Sequence, residues 1–210
     1  LMRIQKGDTH LYSFVQVSYA FIADVDFGSE TLRWLGEARF DCYATYRYFL
    51  LRDYHAKLTM ICRNEEQHKR THCNKHACEG CLATGSQDME QQQARTIHDW
   101  QHDLLHPSSS LLGESDVPQG YKKVTVDERI IWLTASNLSH IGGAVYGGPF
   151  AHLNDGHCDL SLIRTKRLDR LPFAAFLTML DKGDIHQWRM VDYYKCREFE
   201  LETMEHNNDK

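Results

Sequence analysis

The stretch LYSFVQVSYAFIADVDF, residues 11–27, is dense in Val, Phe, Tyr and Ile, the residue types that favour β-strands. Its first half alternates between two sets of side chains, which are Phe14, Gln16 and Ser18 on one side and Val15, Val17 and Tyr19 on the other. This period of two predicts one or two β-strands, buried toward the end of the stretch. Gly28 and Ser29 then break the pattern.

The remaining segments predict a mixture of strands and short helices. Ser29 as a cap and Gly36 as a stop predict a short helix over 30–35, and Asp41 can cap a second helix over 41–53. Strands are predicted over 56–62, 124–139, 158–166 and 189–202, and an amphipathic helix over 168–183. This order predicts an α+β fold, a mainly antiparallel β-sandwich domain with a few short helices.

Residues 63–120 differ in composition from the rest of the chain. They are rich in Gln, His, Glu and Ser, and poor in Val, Ile and Phe. Such a segment buries little apolar surface. We therefore predict one domain formed by 1–62 and 121–203, with a polar Cys- and His-containing insertion over 63–120 and a tail over 204–210.

Composition excludes several functional classes. The 210 residues carry 24 Lys and Arg against 29 Asp and Glu, for a net charge of −5, and this mild acidity argues against nucleic-acid binding. The sequence contains no apolar stretch of about 18 residues, so no transmembrane helix is expected. Residues 1–10 lack the apolar core of a signal peptide. The seven cysteines, with no secretory signal, then predict a reducing, cytoplasmic location with free or metal-bound thiols.

Two arginines, Arg33 and Arg39, flank Gly36. Six residues of a continuous helix turn about 600°, which would point the two side chains to different faces. If Gly36 ends the helix, the chain can bend and bring both guanidinium groups to one anion, and the guanidinium fork suits phosphate. Ordinary ion pairs with Glu30 and Glu37 are the alternative.

Two carboxylates, Asp24 and Asp26, precede the arginines. On a strand both would face the same side of the sheet. Such a pair can bind an amine or a hydroxyl group of a substrate. Alternatively, one of the two caps the following turn.

The most metal-like stretch is CNKHACEGC, residues 73–81. Cys78 and Cys81 form a C-x2-C pair. Cys73 lies five residues upstream of Cys78, and His76 lies between Cys73 and Cys78. Three thiolates and one imidazole can complete a tetrahedral Zn²⁺ site. A redox-sensitive cluster and plain reduced thiols remain alternatives.

A second polar cluster surrounds the Asn-Asp-Gly sequence of residues 154–156, which is a strong turn signal. His152, His157 and Asp159 flank it. The pattern favours a hairpin turn, and a metal or acid–base site is the alternative.

Taken in order, these segments resemble the carboxy-terminal part of the diacylglycerol-kinase-like lipid kinases, in particular the ceramide kinase and sphingosine kinase branches. The most specific segment is SYAFIADVDFGSETLRWLGEARF, residues 18–40. The resemblance also includes the cysteine cluster, LTASN (133–137), PFAHLNDGHCDLSLIR (149–164) and VDYYKCREFELE (191–202). The RWLG and HLNDG segments and the cluster are similar to ceramide kinases, whereas Asp26 is similar to sphingosine kinases.

The resemblance implies a β-rich carboxy-terminal domain whose amino-terminal partner domain supplies a glycine-rich ATP loop and the catalytic Asp. We expect that partner domain to be absent from this chain. ATP and Mg²⁺ are the implied cofactors. The implied roles are ATP-phosphate contacts for Arg33 and Arg39, contact with the lipid headgroup for Asp24 or Asp26, and lining of a lipid pocket for Phe21 and Ile22.

We therefore expect a fragment, inactive alone, of an ATP-dependent lipid kinase that phosphorylates the primary hydroxyl of ceramide to give ceramide 1-phosphate. Its expected partners are a sphingolipid substrate and a membrane surface, which it would contact as a peripheral cytoplasmic protein. The alternatives are a sphingosine kinase and a non-catalytic zinc-binding interaction module.

Overall fold

A computed structural model describes residues 2–64, 112, 117–140, 145–152 and 155–204. Within these ranges the strands are β1 (Met2–Lys6), β2 (Thr9–Ser13), β3 (Gln16–Ala20), β4 (Tyr54–Arg63), β5 (Tyr121–Ser136), β6 (Cys158–Arg164) and β7 (Val191–Thr203). The α-helices are α1 (Phe21–Gly28), α2 (Ala38–Phe49) and α3 (Arg170–Thr178). Short 3-10 helices cover Ser29–Leu35, Thr165–Arg167, Leu180–Lys182 and Ile185–Gln187.

Five strands form one antiparallel sheet in the order β3-β5-β4-β7-β6, and β1 pairs with β2 separately. The 16-residue strand β5 also pairs with β6, so the sheet closes on itself. Its first part lies against β4, and its second part lies between β3 and β6. An extra residue, Ile131, interrupts the pairing with β6 between Ile130 and Trp132, as in a β-bulge. The predicted α+β class with a mainly antiparallel sheet is confirmed.

The two faces of this sheet are covered by two apolar cores. One core is formed by side chains of the strands, and its fully buried members include Leu58, Met60, Leu160 and Leu162. The other core packs α1 and α3 against β5 and includes Phe21, Trp132, Phe173 and Phe176. Burial on both faces is most complete in the second part of β5, where residues 130–136 are all buried.

The predicted insertion leaves and re-enters the domain at one place. Arg63, the last residue of β4, is the register partner of Tyr121, the first residue of β5. The N–H of Asn64 donates to the carbonyl of Gly120 at 2.8 Å. Most residues of the insertion lie outside the described ranges.

The prediction of strand structure up to residue 27 is wrong in its last third, because α1 begins at Phe21. Two predicted helices are present with shifted bounds. The helix expected over 41–53 covers Ala38–Phe49, and the one expected over 168–183 continues beyond Thr178 only as a 3-10 turn. Gly183, with φ 75°, ends it as predicted.

Candidate functional site

Ala20 joins β3 directly to α1. Its backbone has φ 64° and ψ −131°, a conformation that residues other than glycine rarely adopt. Holding such a residue costs about 1–3 kcal/mol, which the surrounding packing must offset, and Ala20 is indeed buried. This strained junction ends the strand and starts the helix that carries both predicted carboxylates.

Asp24 is held by side chains from two other elements. The hydroxyl of Tyr54, at the start of β4, donates to both carboxylate oxygens of Asp24, at 2.7 and 2.8 Å. The guanidinium group of Arg47 in α2 forms an ion pair with the same carboxylate and donates to the carbonyl oxygen of Leu50 at 2.9 Å. Because the Arg47 side chain is only 4% exposed, this buried cluster fixes α1, α2 and β4 relative to one another.

Asp26 points in a different direction from Asp24, because two residues along an α-helix turn about 200°. The expectation that both carboxylates face one side is therefore wrong, since it assumed a strand. Asp26 is exposed. Partial loss of hydration raises the pKa of its carboxyl group, and the positive charge of nearby Arg39 acts in the opposite direction. Asp26 thus lies within the electrostatic range of Arg39.

Arg33 and Arg39 converge on one carboxylate. Nε of Arg33 lies 2.6 Å from Oε2 of Glu30, and Nη1 of Arg39 lies 2.7 Å from Oε1 of the same group. Between them Gly36 has φ 61° and ψ −135°, and its N–H donates to the Arg33 carbonyl at 3.1 Å. The bend expected at Gly36 is present. The ion-pair alternative is also realised, at Glu30.

A shallow, open hollow of about 340 Å³ adjoins this cluster, lined by Arg33, Gly36, Glu37, Arg39 and Phe40. The Arg33 side chain is 75% exposed, whereas that of Arg39 is 18% exposed. The Arg39 guanidinium stacks over the ring of Phe40, 4.5 Å from its centroid, and such a cation–π contact restricts its motion. Arg39 is therefore the better fixed of the two cations.

Two guanidinium groups and the carboxylates of Glu30 and Glu37 set the electrostatics of the hollow. The pKa of the Glu30 carboxyl group is held below its usual value, chiefly by the hydrogen bond from Arg39, with the charge of Arg33 acting in the same direction. Glu30 leaves a charge of +1 on the cluster of Glu30, Arg33 and Arg39, and the carboxylate of Glu37, which lines the same hollow, offsets it. Guanidinium groups that already chelate a carboxylate have the geometry that phosphate oxygens also require.

Phe21 and Ile22 lie at the start of α1, on its buried side. Phe21 is 2% exposed, and its ring packs edge-to-face on Phe173 with 5.4 Å between centroids. Ile22 is partly buried against the same core. Phe21 thus contributes to the interior of the domain, and the lining of a lipid pocket by these two residues stays a prediction.

Several large apolar side chains are exposed near the arginine cluster in sequence. Phe27, Trp34 and Phe49 are 81%, 79% and 69% exposed. They belong to α1, the following 3-10 helix and α2. Within the described residues, no helix is both long and apolar enough to span a bilayer.

A buried ion pair links β6 and β7, and sequence analysis missed it. Nζ of Lys195 lies 2.9 Å from Asp159, which is 1% exposed, and 2.7 Å from Asp155. The hydroxyl of Tyr193 donates to Asp159 at 2.6 Å. Burial raises the pKa of Asp159, and burial alone would lower that of Lys195, but the two carboxylates outweigh it and raise the Lys195 pKa. The lysine between Tyr194 and Cys196 in a predicted strand was the available sequence signal.

The predicted turn at residues 154–156 is described only from Asp155 onward. Gly156 has φ 69°, as a tight turn requires. Ring nitrogens of His157 contact the carbonyl oxygen of Asp155 at 2.5 Å and the hydroxyl of Tyr121 at 2.8 Å. These contacts hold the His157 ring in place as part of the turn.

The predicted zinc ligands Cys73, His76, Cys78 and Cys81 lie outside the described residues. Among the residues described, no group of three or more His, Cys, Asp or Glu side chains is arranged around a common metal position. Four other cysteines carry free thiols, as predicted: exposed Cys42, and buried Cys62, Cys158 and Cys196.

We expect iodoacetamide to alkylate Cys42 in the native chain much faster than the three buried thiols. The thiolate is the reactive species, and burial raises the pKa of Cys158 to about 12 and also raises that of Cys196. Peptide mass spectrometry after timed labelling measures each site separately. Labelling in guanidinium chloride is the control, in which all four sites should react alike. Equal rates in the native chain would contradict the burial described here.

Comparison with known proteins places the chain beside lipid kinases, although no family model matches it. Sphingosine kinase 1 of Arabidopsis thaliana is 26% identical over 208 residues, covering 95% of this chain and 36% of the relative. Ceramide kinase of Mus musculus is 26% identical over 204 residues, covering 95% and 35%. Sphingoid long chain base kinase 4 of Schizosaccharomyces pombe is 24% identical over 199 residues, covering 95% and 39%.

Two consequences follow from these similarities. The chain spans little more than a third of the length of each relative, 35–39%. A sphingosine kinase and a ceramide kinase match it at the same 26% identity. Overall similarity therefore does not distinguish between their two substrates.

Proposed function

We propose that this chain belongs to the diacylglycerol-kinase-like lipid kinases, in line with its 24–26% identity to three sphingolipid kinases, and that the full-length protein transfers the γ-phosphoryl group of ATP to the primary hydroxyl of ceramide. The observation that carries this proposal is the convergence of Arg33 and Arg39 beside an open hollow. These arginines belong to the segment in which the sequence most specifically resembles such kinases.

In this proposal the hollow receives the phosphates of the nucleotide. Phosphoryl transfer depends mainly on positioning and on stabilisation of the charge that spreads over the phosphate oxygens. Arg39, fixed by its stacking on Phe40, supplies a permanent positive charge at a defined place. Arg33 pairs with Glu30 through Nε, and its side chain is 75% exposed, so it can reorient toward a phosphate group.

The remaining parts of the reaction are assigned to a further domain of the same polypeptide. By the family resemblance, that domain supplies the glycine-rich loop and the Asp that accepts the proton of the substrate hydroxyl. Mg²⁺ supplies charge neutralisation to the phosphates in reactions of this class. Since the described residues contain no three-membered group of metal ligands, we assign no Mg²⁺ ligand to this chain. Because the glycine-rich loop and the Asp are assigned to that further domain, we propose that the 210-residue chain alone is inactive.

Sphingosine is the second candidate substrate, because Asp26 is an exposed carboxylate close enough to feel the charge of Arg39. A carboxylate at that place suits the free amine of sphingosine, whereas ceramide presents an amide. The RWLG and HLNDG segments and the cysteine cluster, which are similar to ceramide kinases, favour ceramide. We place more weight on these three segments than on the single residue.

The exposed aromatic side chains support contact with a membrane surface, where sphingolipids reside. Phe27 and Trp34 flank Glu30 and Arg33 in sequence and are each about four-fifths exposed, at 81% and 79%. Aromatic residues partition favourably into the interface between headgroups and acyl chains. We propose a peripheral association at the cytoplasmic side through this region.

We expect the full-length protein to transfer label from γ-labelled ATP to ceramide in mixed micelles at least about ten times faster than to sphingosine. A tenfold ratio corresponds to about 1.4 kcal/mol of differential transition-state binding, which one misplaced polar group can supply. Transfer to sphingosine instead would select the second candidate. Transfer to neither lipid would overturn the proposed function.

An Asp26→Asn variant separates the two substrates further. It removes the charge of the Asp26 side chain with little change in shape, so it should leave ceramide phosphorylation within about twofold of wild type. If sphingosine is the true substrate, the same variant should lose about tenfold or more in kcat/KM, because a charge-assisted contact is lost.

A further inference from the structure

Glu30 occupies the position in which the two arginines would bind an external anion. Each of its carboxylate oxygens accepts from a different guanidinium group, Oε2 from Arg33 and Oε1 from Arg39. The contact spans nine residues of sequence from Glu30 to Arg39, across the bend at Gly36. Glu30 thus bridges the two guanidinium groups and forms an ion pair with both at once.

We propose that Glu30 is an internal anion that holds Arg33 and Arg39 in place until a polyphosphate chain displaces it, so that the Glu30 carboxylate competes directly with the ligand. This inference rests on the proposed function, because it assigns the hollow to the phosphates of a nucleotide. It adds a positioning residue that acts through the arginines and opposes binding.

The geometry permits the exchange. The side chains of Arg33 and Glu30 are 75% and 44% exposed, so both can change rotamer without disturbing the apolar core. Arg39 is restrained independently by its stacking over Phe40. Release of Glu30 therefore frees both guanidinium groups, while Arg39 keeps its position.

Two opposing effects decide the sign of the result when Glu30 is neutralised. Loss of the ion pairs lets the exposed Arg33 side chain sample more rotamers, which weakens binding through lost conformational order. Loss of the Glu30 carboxylate also removes a competitor and makes the local charge one unit more positive toward a ligand that carries several negative charges. The charge effect acts on each phosphate group, whereas the ordering effect concerns mainly one side chain. Neutralisation should therefore strengthen binding.

Isothermal titration of the full-length protein with inorganic tripolyphosphate tests the inference. We expect Glu30→Gln to bind tripolyphosphate about three- to tenfold more tightly than wild type at low ionic strength, with the gain shrinking as salt screens the charges. Unchanged or weaker binding by Glu30→Gln would overturn the inference. So would an absence of binding by both proteins.

Glu37→Gln is the matched control, because Glu37 lines the same hollow and the substitution changes the net charge equally. Within the described residues Glu37 forms no ion pair with either arginine. Its neutralisation should change the affinity by no more than about twofold through the general field. An equal gain in both variants would show a nonspecific charge effect and would also overturn the inference.

Two further variants distinguish this failure from a failure of the proposed function. Arg33→Ala and Arg39→Ala should each weaken tripolyphosphate binding. If both bind as wild type does, the nucleotide site itself is wrong. If both arginine variants weaken binding while Glu30→Gln fails to strengthen it, only the proposed role of Glu30 is refuted.

Discussion

Replacing Arg39 by alanine should reduce phosphate transfer by the full-length protein by about 10²–10³-fold, the usual cost of removing one preorganised group that stabilises charge in the transition state. The melting temperature should change little, because the Arg39 side chain pairs with Glu30 and stacks on Phe40, which are 44% and 37% exposed. Labelled-phosphate transfer and thermal unfolding of the same preparation measure the two quantities. Arg33→Ala should also reduce transfer, but less, since its side chain is 75% exposed and less restrained.

Two controls separate the guanidinium geometry from the charge. Arg39→Lys keeps the positive charge but loses the planar fork, so its activity should lie between those of wild type and Arg39→Ala. Arg167→Ala removes another partly exposed arginine, which lies in the 3-10 helix between β6 and α3 and pairs with Asp192. It should leave transfer unchanged. Full activity in both Arg33→Ala and Arg39→Ala would refute the nucleotide site.

The convergence of the two arginines could be anticipated from sequence because a single residue controls it. A glycine six residues into a short helical segment is a strong local stop signal. The φ of 61° at Gly36 shows that the chain uses the freedom of glycine at that place. The role of Glu30 as a shared partner was only one of two open alternatives. Side-chain pairing over nine positions depends on the three-dimensional path after the bend.

The helical state of α1 could not be read from the same kind of signal. The sequence FIADVDF is rich in β-branched and aromatic residues, which favour strands on local propensity. The helix is fixed by nonlocal contacts, since Tyr54 and Arg47 both hold Asp24. Ala20 turns the chain with a backbone conformation that local propensity disfavours. Tertiary contacts thus override propensity at the junction between the sheet and the candidate site.

The strands themselves were largely predictable, but their arrangement was not. Apolar density identified β4, β6 and β7 within a few residues of their observed bounds. Closure of the sheet depends on β5, whose 16 residues pair with three different strands. The bulge at Ile131 that accompanies the change of partner leaves no signature in an apolar run such as residues 130–133.

Lys195→Met should destabilise the chain by about 3–5 kcal/mol, the typical cost of leaving a buried charge without its partner. Lys195 is the cation that compensates both Asp159 and Asp155, and the Asp159 carboxylate is only 1% exposed. Without the ammonium group, the two carboxylates repel each other, and Asp159 keeps the hydrogen bond from the hydroxyl of Tyr193. Urea unfolding at constant pH, with the m-value checked for two-state behaviour, measures the change in the free energy of unfolding.

The matched control is Lys57→Met, which removes a lysine that also forms a cross-strand ion pair in the same sheet, with Glu202. That pair is exposed to solvent, and exposed pairs contribute little to stability, so the unfolding midpoint should stay close to that of wild type. A double variant, Asp159→Leu with Lys195→Met, should recover part of the loss, because it removes the stranded charge together with its partner. If Lys195→Met and Lys57→Met prove equally stable, the buried pair does not hold β6 to β7 in the manner described.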